Sequence, residues 1–262
     1  MYKPKITLPI IWPRTSPFNS KFWRAAGQRL LHWLLPNTCY SCKRDLPCGL
    51  SGPLCKDCLD QVKEVGPLYC QRCGKPLPDG GAHCYQCRGS KARGFKCKII
   101  RSAVVFGPQV RAVIHAWKYS GQTHWTAYLT ALMNQAWPKY EELAQAQLLI
   151  PVPLHPKKFK QRGYNQSALL ARGLARLQGL LVDEQALIRS RNTPSQTQFG
   201  RAGRLQNMSG AFTCVNPAAV RGKIILLIDD VATTGATLEG CAQALREAGA
   251  KKVMAYTLAR EV

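Results

Sequence analysis

The chain has 262 residues, with 37 Lys and Arg against 14 Asp and Glu, which gives a formal net charge of +23. This length allows one medium-sized domain and a smaller one. No apolar run approaches the ~20 residues needed to cross a bilayer, so we expect no membrane span. The charge predicts a polyanionic partner, anionic ligands or both, with a solvated basic surface as the alternative.

Residues 1–37 form a basic, amphipathic N-terminal extension. Its early apolar stretches are interrupted by Pro9, Pro13 and Pro17, and no small-residue cleavage site follows, unlike a signal peptide. The segment Phe22–Leu35 is better explained as a helix packed on the protein than as a membrane anchor. We therefore expect a cytoplasmic protein.

Residues 38–90 contain four Cys-x-x-Cys pairs. Two thiolates at this spacing can bind one tetrahedral zinc, and two pairs complete a four-sulfur site, so we predict a double zinc ribbon with two structural Zn²⁺ ions. The sequential assignment gives the sets Cys39, Cys42, Cys55, Cys58 and Cys70, Cys73, Cys84, Cys87. A RING-like interleaving of alternate pairs is the alternative.

Disulfides would be the other use of these cysteines. They require an oxidising compartment, which nothing in the N-terminal extension indicates. The segment is short and has few large apolar residues, so zinc binding would supply its folding energy. The ribbons then either hold the structure or contact nucleic acid or a protein.

Alternating apolar segments predict an α/β domain over residues 98–262. Its first part reads as a strand or hairpin over 99–106, helices over 110–117 and 125–136, and a buried strand over 148–152. The first helix ends in a basic turn at Lys118. That lysine contacts an anion or complements the helix dipole.

A basic segment follows the buried strand. Pro151, Pro153 and Pro156 predict extended chain. Four cations then make a basic lip, which is a candidate nucleic-acid surface, namely Lys157, Lys158, Lys160 and Arg162. Asn165 is a good N-cap for a helix whose apolar positions are Leu170, Leu174, Leu177 and Leu181.

The region from Arg189 to Phe212 is basic, poor in apolar residues and rich in Gln, Ser and Gly, which predicts a mobile loop. Two of its cations, Arg201 and Arg204, are candidates for contact with an anionic ligand. Solvation is the alternative for both.

The segment Ile224–Gly240 carries the most specific pattern. An apolar run predicts a buried strand that ends at Asp229 and Asp230, and small hydroxylated residues then surround Gly235 before an amphipathic helix. Such a loop can hold a phosphate at the helix N-terminus, beside carboxylates that bind a diol or a metal. The alternative is an acidic pair that binds a divalent ion or caps the helix.

The order of strand, acidic pair and Thr-Thr-Gly-x-Thr resembles the phosphoribosyl-pyrophosphate (PRPP) loop of type I phosphoribosyltransferases. The resemblance implies a parallel α/β sheet with helices on both faces, preceded by the small zinc-ribbon domain. It also implies that Asp229 and Asp230 bind the ribose hydroxyls and that PRPP binds with Mg²⁺. The PRPP-binding positions are then Asp229, Asp230, Val231, Ala232, Thr233, Thr234, Gly235, Ala236 and Thr237.

The same resemblance places Lys118 and Arg204 at the pyrophosphate, with the loop around Arg204 as a lid. Together with Asp229 and Asp230 they are the candidate catalytic residues. Transfer itself stays open, because phosphoribosyltransferase folds also serve as PRPP-sensing binders, and no segment identifies an acceptor.

A Val-Pro-Leu-His-Pro stretch leads to Arg-Gly-Tyr-Asn-Gln, between the ribbons and the PRPP loop. This combination is similar to ComF proteins, including the GntX branch. The similarity implies a competence protein that binds PRPP and single-stranded DNA in natural transformation, with protein partners in that machinery. The alternative is a PRPP-dependent transferase that acts on a small acceptor without contacting DNA.

Overall fold

The structure is a computed structural model that describes residues 37–47, 52–88, 94–190 and 210–262. The predictions for residues 1–36 and for Arg201 and Arg204 lie outside these ranges. The chain divides into two compact units, Met1–Lys63 with Gly107–Trp125 and Glu64–Phe106 with Thr126–Val262.

The first unit contains the first two cysteine pairs and two helices, α1 (Lys56–Asp60) and α2 (Pro108–Tyr119). A 3-10 turn covers Thr123–Trp125. Within this unit, the Gln109 side-chain amide donates a 2.7 Å hydrogen bond to Gln61, and the Tyr40 and Trp125 rings meet edge to face. The α2 helix starts at a proline in its first turn, where the missing N–H leaves no bond unmade.

The second unit is built on a four-stranded parallel sheet in the order β1-β6-β5-β2. The unit also contains a separate two-stranded antiparallel sheet, β3-β4. The strands are β1 (Cys97–Val105), β2 (Leu148–Pro151), β3 (Leu187–Arg189), β4 (Phe212–Cys214), β5 (Ile224–Ala232) and β6 (Lys252–Arg260).

Helices cover both faces of this sheet, which confirms the predicted fold class. Ile225 and Leu227 of β5 share one apolar core with α7, and the alternate residues Leu226 and Ile228 are buried on the other face, where α3 and α5 pack. The described helices of this unit are α3 (Thr126–Ala136), α4 (Pro156–Arg162), α5 (Gln166–Gln178), α6 (Pro217–Val220) and α7 (Ala236–Glu247). Short 3-10 turns cover Tyr85–Cys87, Trp137–Lys139 and Glu141–Gln145.

Three local predictions differ from the structure. Strand β5 does not end at Asp229 and Asp230, because its pairing with β6 continues to Ala232. The chain at Pro156 is helical rather than extended, since proline fits the first helical turn and His155 caps it. Leu177 is 56 % exposed, and α5 ends one residue later, at Gln178, with Gly179 in the left-handed region as its C-cap. Among the described helices, none is long and apolar enough to cross a membrane.

Candidate functional site

The acidic pair lies at the carboxyl end of β5, a central strand of the parallel sheet. Ligands of open α/β sheets bind at this edge. The Asp229 carboxylate accepts a 2.8 Å hydrogen bond from the Ser167 hydroxyl and a 2.9 Å bond from the Asp230 N–H. Asp230 is only 8 % exposed. The Asp229 carboxylate is therefore held by hydrogen bonds, and the side chain of Asp230 is enclosed by the fold.

Ser167 is a residue of this site that the sequence reading did not single out. It lies in the first turn of α5, where the Asn165 side chain accepts a hydrogen bond from its N–H at 3.1 Å. Asn165 also donates to the Val152 carbonyl at 3.1 Å, which ties the start of α5 to the chain leaving β2. The sequence feature that could have indicated Ser167 is its position directly after the Arg-Gly-Tyr-Asn-Gln segment.

The predicted phosphate loop follows the acidic pair directly. Gly235 caps α7 with a φ of 79°, a left-handed conformation that glycine adopts without steric cost. The Ala236 N–H donates to the Thr234 hydroxyl at 3.3 Å. Backbone N–H groups at the start of a twelve-residue helix, flanked by threonine hydroxyls, can bind a phosphate.

Arg260, the last residue of β6, holds the start of this loop through hydrogen bonds. It is 2 % exposed, and its guanidinium donates to the Ala232 carbonyl at 2.8 Å and to the Thr233 carbonyl. These two carbonyls belong to the chain that leaves β5. The sheet therefore fixes the path of the loop through a buried arginine.

Two four-cysteine clusters lie at the predicted positions. Within each cluster all four sulfur atoms lie within 4.8 Å of one another, in the sequential rather than the interleaved grouping. Four thiolates at such distances fit one tetrahedral zinc ion. The chain thus has two four-cysteine zinc-binding sites.

The two clusters differ in their surroundings. In the first, Cys42 is exposed, and a hydrogen bond from Arg44 lowers the pKa of its thiol to about 6. In the second, all four cysteines are at most 7 % exposed. There, hydrogen bonds from Cys73 and Cys87 hold the pKa of Cys70 below its ordinary value. Each cluster therefore contains a thiol whose pKa is lowered, whereas burial raises the pKa of Cys58 in the first cluster and hydrogen bonds with Cys70 raise the pKa of Cys73 and Cys87 in the second.

The predicted nucleic-acid residues lie on α4 and its capping turn. The Nδ1 atom of His155 accepts a hydrogen bond from the Lys157 N–H, and burial together with neighbouring cations lowers the pKa of that histidine. The ring of Phe159 is 49 % exposed among the lysines. The sequence reading missed this aromatic residue. Cations beside an exposed ring form a surface of the kind that binds single-stranded nucleic acid.

The remaining predicted residues are placed as follows. Val231 and Ala232 end β5, and Thr237 lies in the first turn of α7. Lys118 lies in the last turn of α2, within the first compact unit. Arg189, which the sequence predicts to begin the mobile loop, ends β3 within electrostatic range of Asp229.

Comparison with known domain families agrees with this architecture. Residues 30–88 match the double zinc ribbon domain, and residues 167–261 match the phosphoribosyl transferase domain. The fold and the two sets of site residues therefore define a protein that joins a double zinc ribbon to a phosphoribosyltransferase domain.

Similarity to characterised proteins extends over most of the chain. The DNA utilization protein YhgH of Salmonella typhimurium is 29% identical over 86% of this chain and 98% of its own length. Competence protein F of Haemophilus influenzae is 29% identical over 85% of this chain and 96% of its own. Competence protein ComFC of Streptococcus pneumoniae is 26% identical over 79% and 87%. The predicted resemblance to ComF proteins is thereby confirmed.

Among solved structures, a glutamine PRPP amidotransferase from B. subtilis aligns with 50% of this chain at 25% identity and a TM-score of 0.34. The alignment spans about a quarter of that enzyme's length. The fold assignment rests on the sheet order and the domain match rather than on this alignment.

Proposed function

We propose that this protein binds PRPP with Mg²⁺ at the carboxyl edge of β5 and binds single-stranded DNA on the basic surface of α4, in support of DNA uptake in natural transformation. One observation carries the PRPP half of the proposal. The acidic pair, with Asp229 held by Ser167, directly precedes a helix N-terminus inside a phosphoribosyltransferase domain.

The chemistry of PRPP fits these groups one by one. Two fixed carboxylates can accept hydrogen bonds from the 2′ and 3′ hydroxyls of ribose. The N–H groups and hydroxyls of residues 233–237 can hold the 5′-phosphate. When bound, Mg²⁺ would neutralise charge on the pyrophosphate. PRPP is a cytoplasmic metabolite, so the same proposal assigns the protein to the cytoplasm.

The DNA half of the proposal is supported by the names of the relatives and by the charge. Relatives similar over most of the chain are named for competence and for DNA utilization. The formal charge of +23 and the exposed Phe159 among lysines suit a strand with a charged backbone and stackable bases. Proteins of the transformation machinery are the proposed protein partners.

Calorimetric titration with PRPP and Mg²⁺ tests the site. The double variant Asp229→Asn with Asp230→Asn should lose binding, since it keeps the shape of both side chains and removes their charge. A matched control, Asp60→Asn with Glu247→Gln, removes two exposed charges elsewhere and should bind like the unmodified protein. Undiminished affinity in the Asp229 and Asp230 variant would reject the site.

The same titration in the presence of single-stranded DNA tests both activities and their coupling. If PRPP and DNA bind independently, the affinity for PRPP is the same with and without DNA, and any change measures a coupling free energy. Absence of DNA binding at low salt would reject the DNA half and leave the PRPP half standing.

A transferase is the second candidate, supported by the match of residues 167–261 to the phosphoribosyl transferase domain. Its test is release of pyrophosphate from PRPP and Mg²⁺ in the presence of the common nucleobases or ammonium. Release that depends on one of these acceptors and is lost in the Asp229 and Asp230 variant would establish transfer. Tight PRPP binding without release would favour a PRPP-sensing protein.

A further inference from the structure

The second zinc-binding site lies against the phosphate loop, and both belong to the same compact unit. A cavity of about 20 Å³, enough for one water molecule, separates them. Its lining comes from the ribbon, from the start of β1 and from the loop with α7, including Arg72, Cys73, Cys87, Thr234, Gly235 and Glu239. The ribbon and the loop are therefore neighbours with little room between them.

Ile100 of β1 contacts both sides of this junction. Its N–H donates a 2.7 Å hydrogen bond to the Arg72 carbonyl in the ribbon turn. A Cβ atom at Gly74 of the same turn would lie 2.6 Å from the Ile100 carbonyl oxygen. A Cβ atom at Gly235 of the phosphate loop would lie 3.1 Å from the Ile100 side chain. Displacement of the ribbon would thus move a residue that packs on the loop.

A second connection runs through Glu239 in the first turn of α7. Its carboxylate accepts hydrogen bonds from the backbone N–H groups of Lys96 and Cys97, at the start of β1. The Arg72 guanidinium stacks 3.3 Å from the centre of the Phe95 ring, directly before these residues. The start of β1 is thereby tied both to the ribbon and to the helix that presents the phosphate loop.

Arg260 joins the two sites electrostatically. It donates to the carbonyls of Ala232 and Thr233 and lies within electrostatic range of Cys73. Its Nε atom and the Nη1 atom of Arg72 are buried and have no hydrogen-bond partner among the residues that the structure describes. Arg72 lines the cavity together with Cys73, Cys87 and the Glu239 carboxylate, so the unused N–H groups leave room for a further buried negative charge on the cysteine side.

A loaded four-cysteine zinc site supplies that charge. Four thiolates and one Zn²⁺ carry a net charge of −2, and a buried charge is stable only when it is paired and hydrogen-bonded. Zinc loading would therefore fix Arg260 by charge, and Arg260 fixes the two carbonyls at the base of the loop.

We propose that Arg260 is a positioning residue that couples the second zinc site to the PRPP loop, so that zinc at Cys70, Cys73, Cys84 and Cys87 raises PRPP affinity. This inference rests on the proposed PRPP binding. Coupling between two binding sites is reciprocal, so PRPP must also stabilise zinc at this site. The first cysteine cluster serves as the internal comparison.

Alkylation of the cysteines under a zinc chelator, followed site by site with mass spectrometry, tests the coupling in the unmodified protein. Saturating PRPP with Mg²⁺ should slow alkylation of Cys70, Cys73, Cys84 and Cys87 several-fold compared with Mg²⁺ alone, and leave the first cluster unchanged. Equal rates at a PRPP concentration that calorimetry shows to be saturating would overturn the coupling alone. Failure of PRPP to bind at all would overturn both the coupling and the proposed function.

Three variants then test Arg260 itself. Arg260→Met should lower PRPP affinity about tenfold and abolish the protection by PRPP, and Arg260→Lys should restore part of both because it keeps the charge. Arg101→Met is the control for the ribbon side, since Arg101 is also a buried arginine and, within the described part of the chain, donates to the carbonyls of Gln71 and Ile100, at 2.9 and 3.0 Å, and pairs with Glu142 rather than bonding to the loop carbonyls. It should weaken the ribbon and keep the protection.

Loss of protection in Arg101→Met and Arg260→Met alike would reduce Arg260 to a structural role and overturn its assignment as a positioning residue. If Arg260→Met does not fold, Arg260→Lys and the alkylation rates of the unmodified protein decide the question.

Discussion

Ser167 determines how Asp229 presents its carboxylate. One oxygen of Asp229 already accepts two hydrogen bonds, from the Ser167 hydroxyl and the Asp230 N–H. These two bonds fix the orientation of the carboxylate at the carboxyl edge of β5. A carboxylate that is ordered before binding loses less conformational entropy when the ligand arrives.

Replacement of Ser167 by alanine should therefore weaken PRPP binding by a factor of about 3 to 10, since one hydrogen bond is worth about 1 kcal/mol. Calorimetry with PRPP and Mg²⁺ measures the change. Ser102→Ala is the control, because Ser102 makes a similar buried hydroxyl bond, 2.7 Å to Thr257. It should reduce stability and leave PRPP affinity unchanged. Equal affinities in the two variants would show that Ser167 has no orienting effect.

His155 makes the α4 cap sensitive to pH. Burial, followed by the charges of Arg189, Lys157 and Lys158, lowers its pKa below 6.5 in the folded protein. As the pH falls below 6.5, the unfolded chain takes up this proton before the folded chain does, so stability falls. Protonation of Nδ1 would also remove the acceptor for the Lys157 N–H.

The variant His155→Asn keeps a capping side chain that does not titrate. Its melting temperature should fall less between pH 7 and pH 5.5 than that of the unmodified protein, because asparagine takes up no proton in this range. Zinc loss at low pH affects both proteins equally and does not contribute to the difference. Parallel pH profiles would contradict a histidine-dependent cap. The measurement is thermal unfolding followed by circular dichroism across this pH range.

At the scale of single elements, the ribbon turn that begins at Cys70 is closed by Gly74, whose N–H donates to the Cys70 carbonyl at 2.9 Å. Its φ is 66°, and an added Cβ would meet the Ile100 carbonyl oxygen at 2.6 Å. Gly163, which ends α4, has a similar φ of 78° but has no atom within 4 Å of the added Cβ. Alanine substitutions at the two glycines therefore share the cost of a left-handed backbone, and only the one at Gly74 adds a steric clash.

Gly163→Ala should cost about 1 kcal/mol of stability from the left-handed backbone alone. Gly74→Ala should cost more, because a backbone carbonyl of β1 cannot move aside without disturbing the sheet. It should also speed zinc loss from the second cluster in a chelator assay. A smaller loss of stability in Gly74→Ala than in Gly163→Ala would refute the close approach of ribbon and strand.

Secondary structure and ligand sets were predictable here wherever local spacing carries the information. The Cys-x-x-Cys turns, the apolar run before Asp229 and the Asn165 cap depend on neighbours in sequence, and the structure places all of them as expected. The extent of β5 was not predictable, because its last residues are set by pairing with β6.

Contacts between distant segments could not be obtained from the sequence alone. Ser167 reaches Asp229 across 62 residues, and Arg260 reaches Ala232 across 28. Leu177 fits the apolar period of α5 but is exposed in the last turn of that helix. Spacing predicts which residues share a face, and the packing of other elements decides how much of that face is covered.

For the whole molecule, the charge of +23 raises the question of where a polyanion binds. The α4 helix follows β2 at the carboxyl edge of the sheet, the same edge that carries Asp229. Single-stranded DNA bound to α4 would lie near the proposed PRPP site. Exposed cations at the other edge, where the parallel strands begin, offer a comparison of equal charge.

Single-stranded DNA binding should therefore depend on which cations are removed and not only on how many. Substitution of Lys157, Lys158 and Lys160 by glutamine should weaken binding and reduce the slope of log affinity against log salt by about 2, since each phosphate contact contributes about 0.7. Fluorescence anisotropy over a salt series measures both. The control removes three exposed cations near the opposite edge, namely Arg176, Arg221 and Lys251, and should leave the slope nearly unchanged. Equal losses of slope in the two triple variants would mean that DNA responds to total charge rather than to the α4 surface.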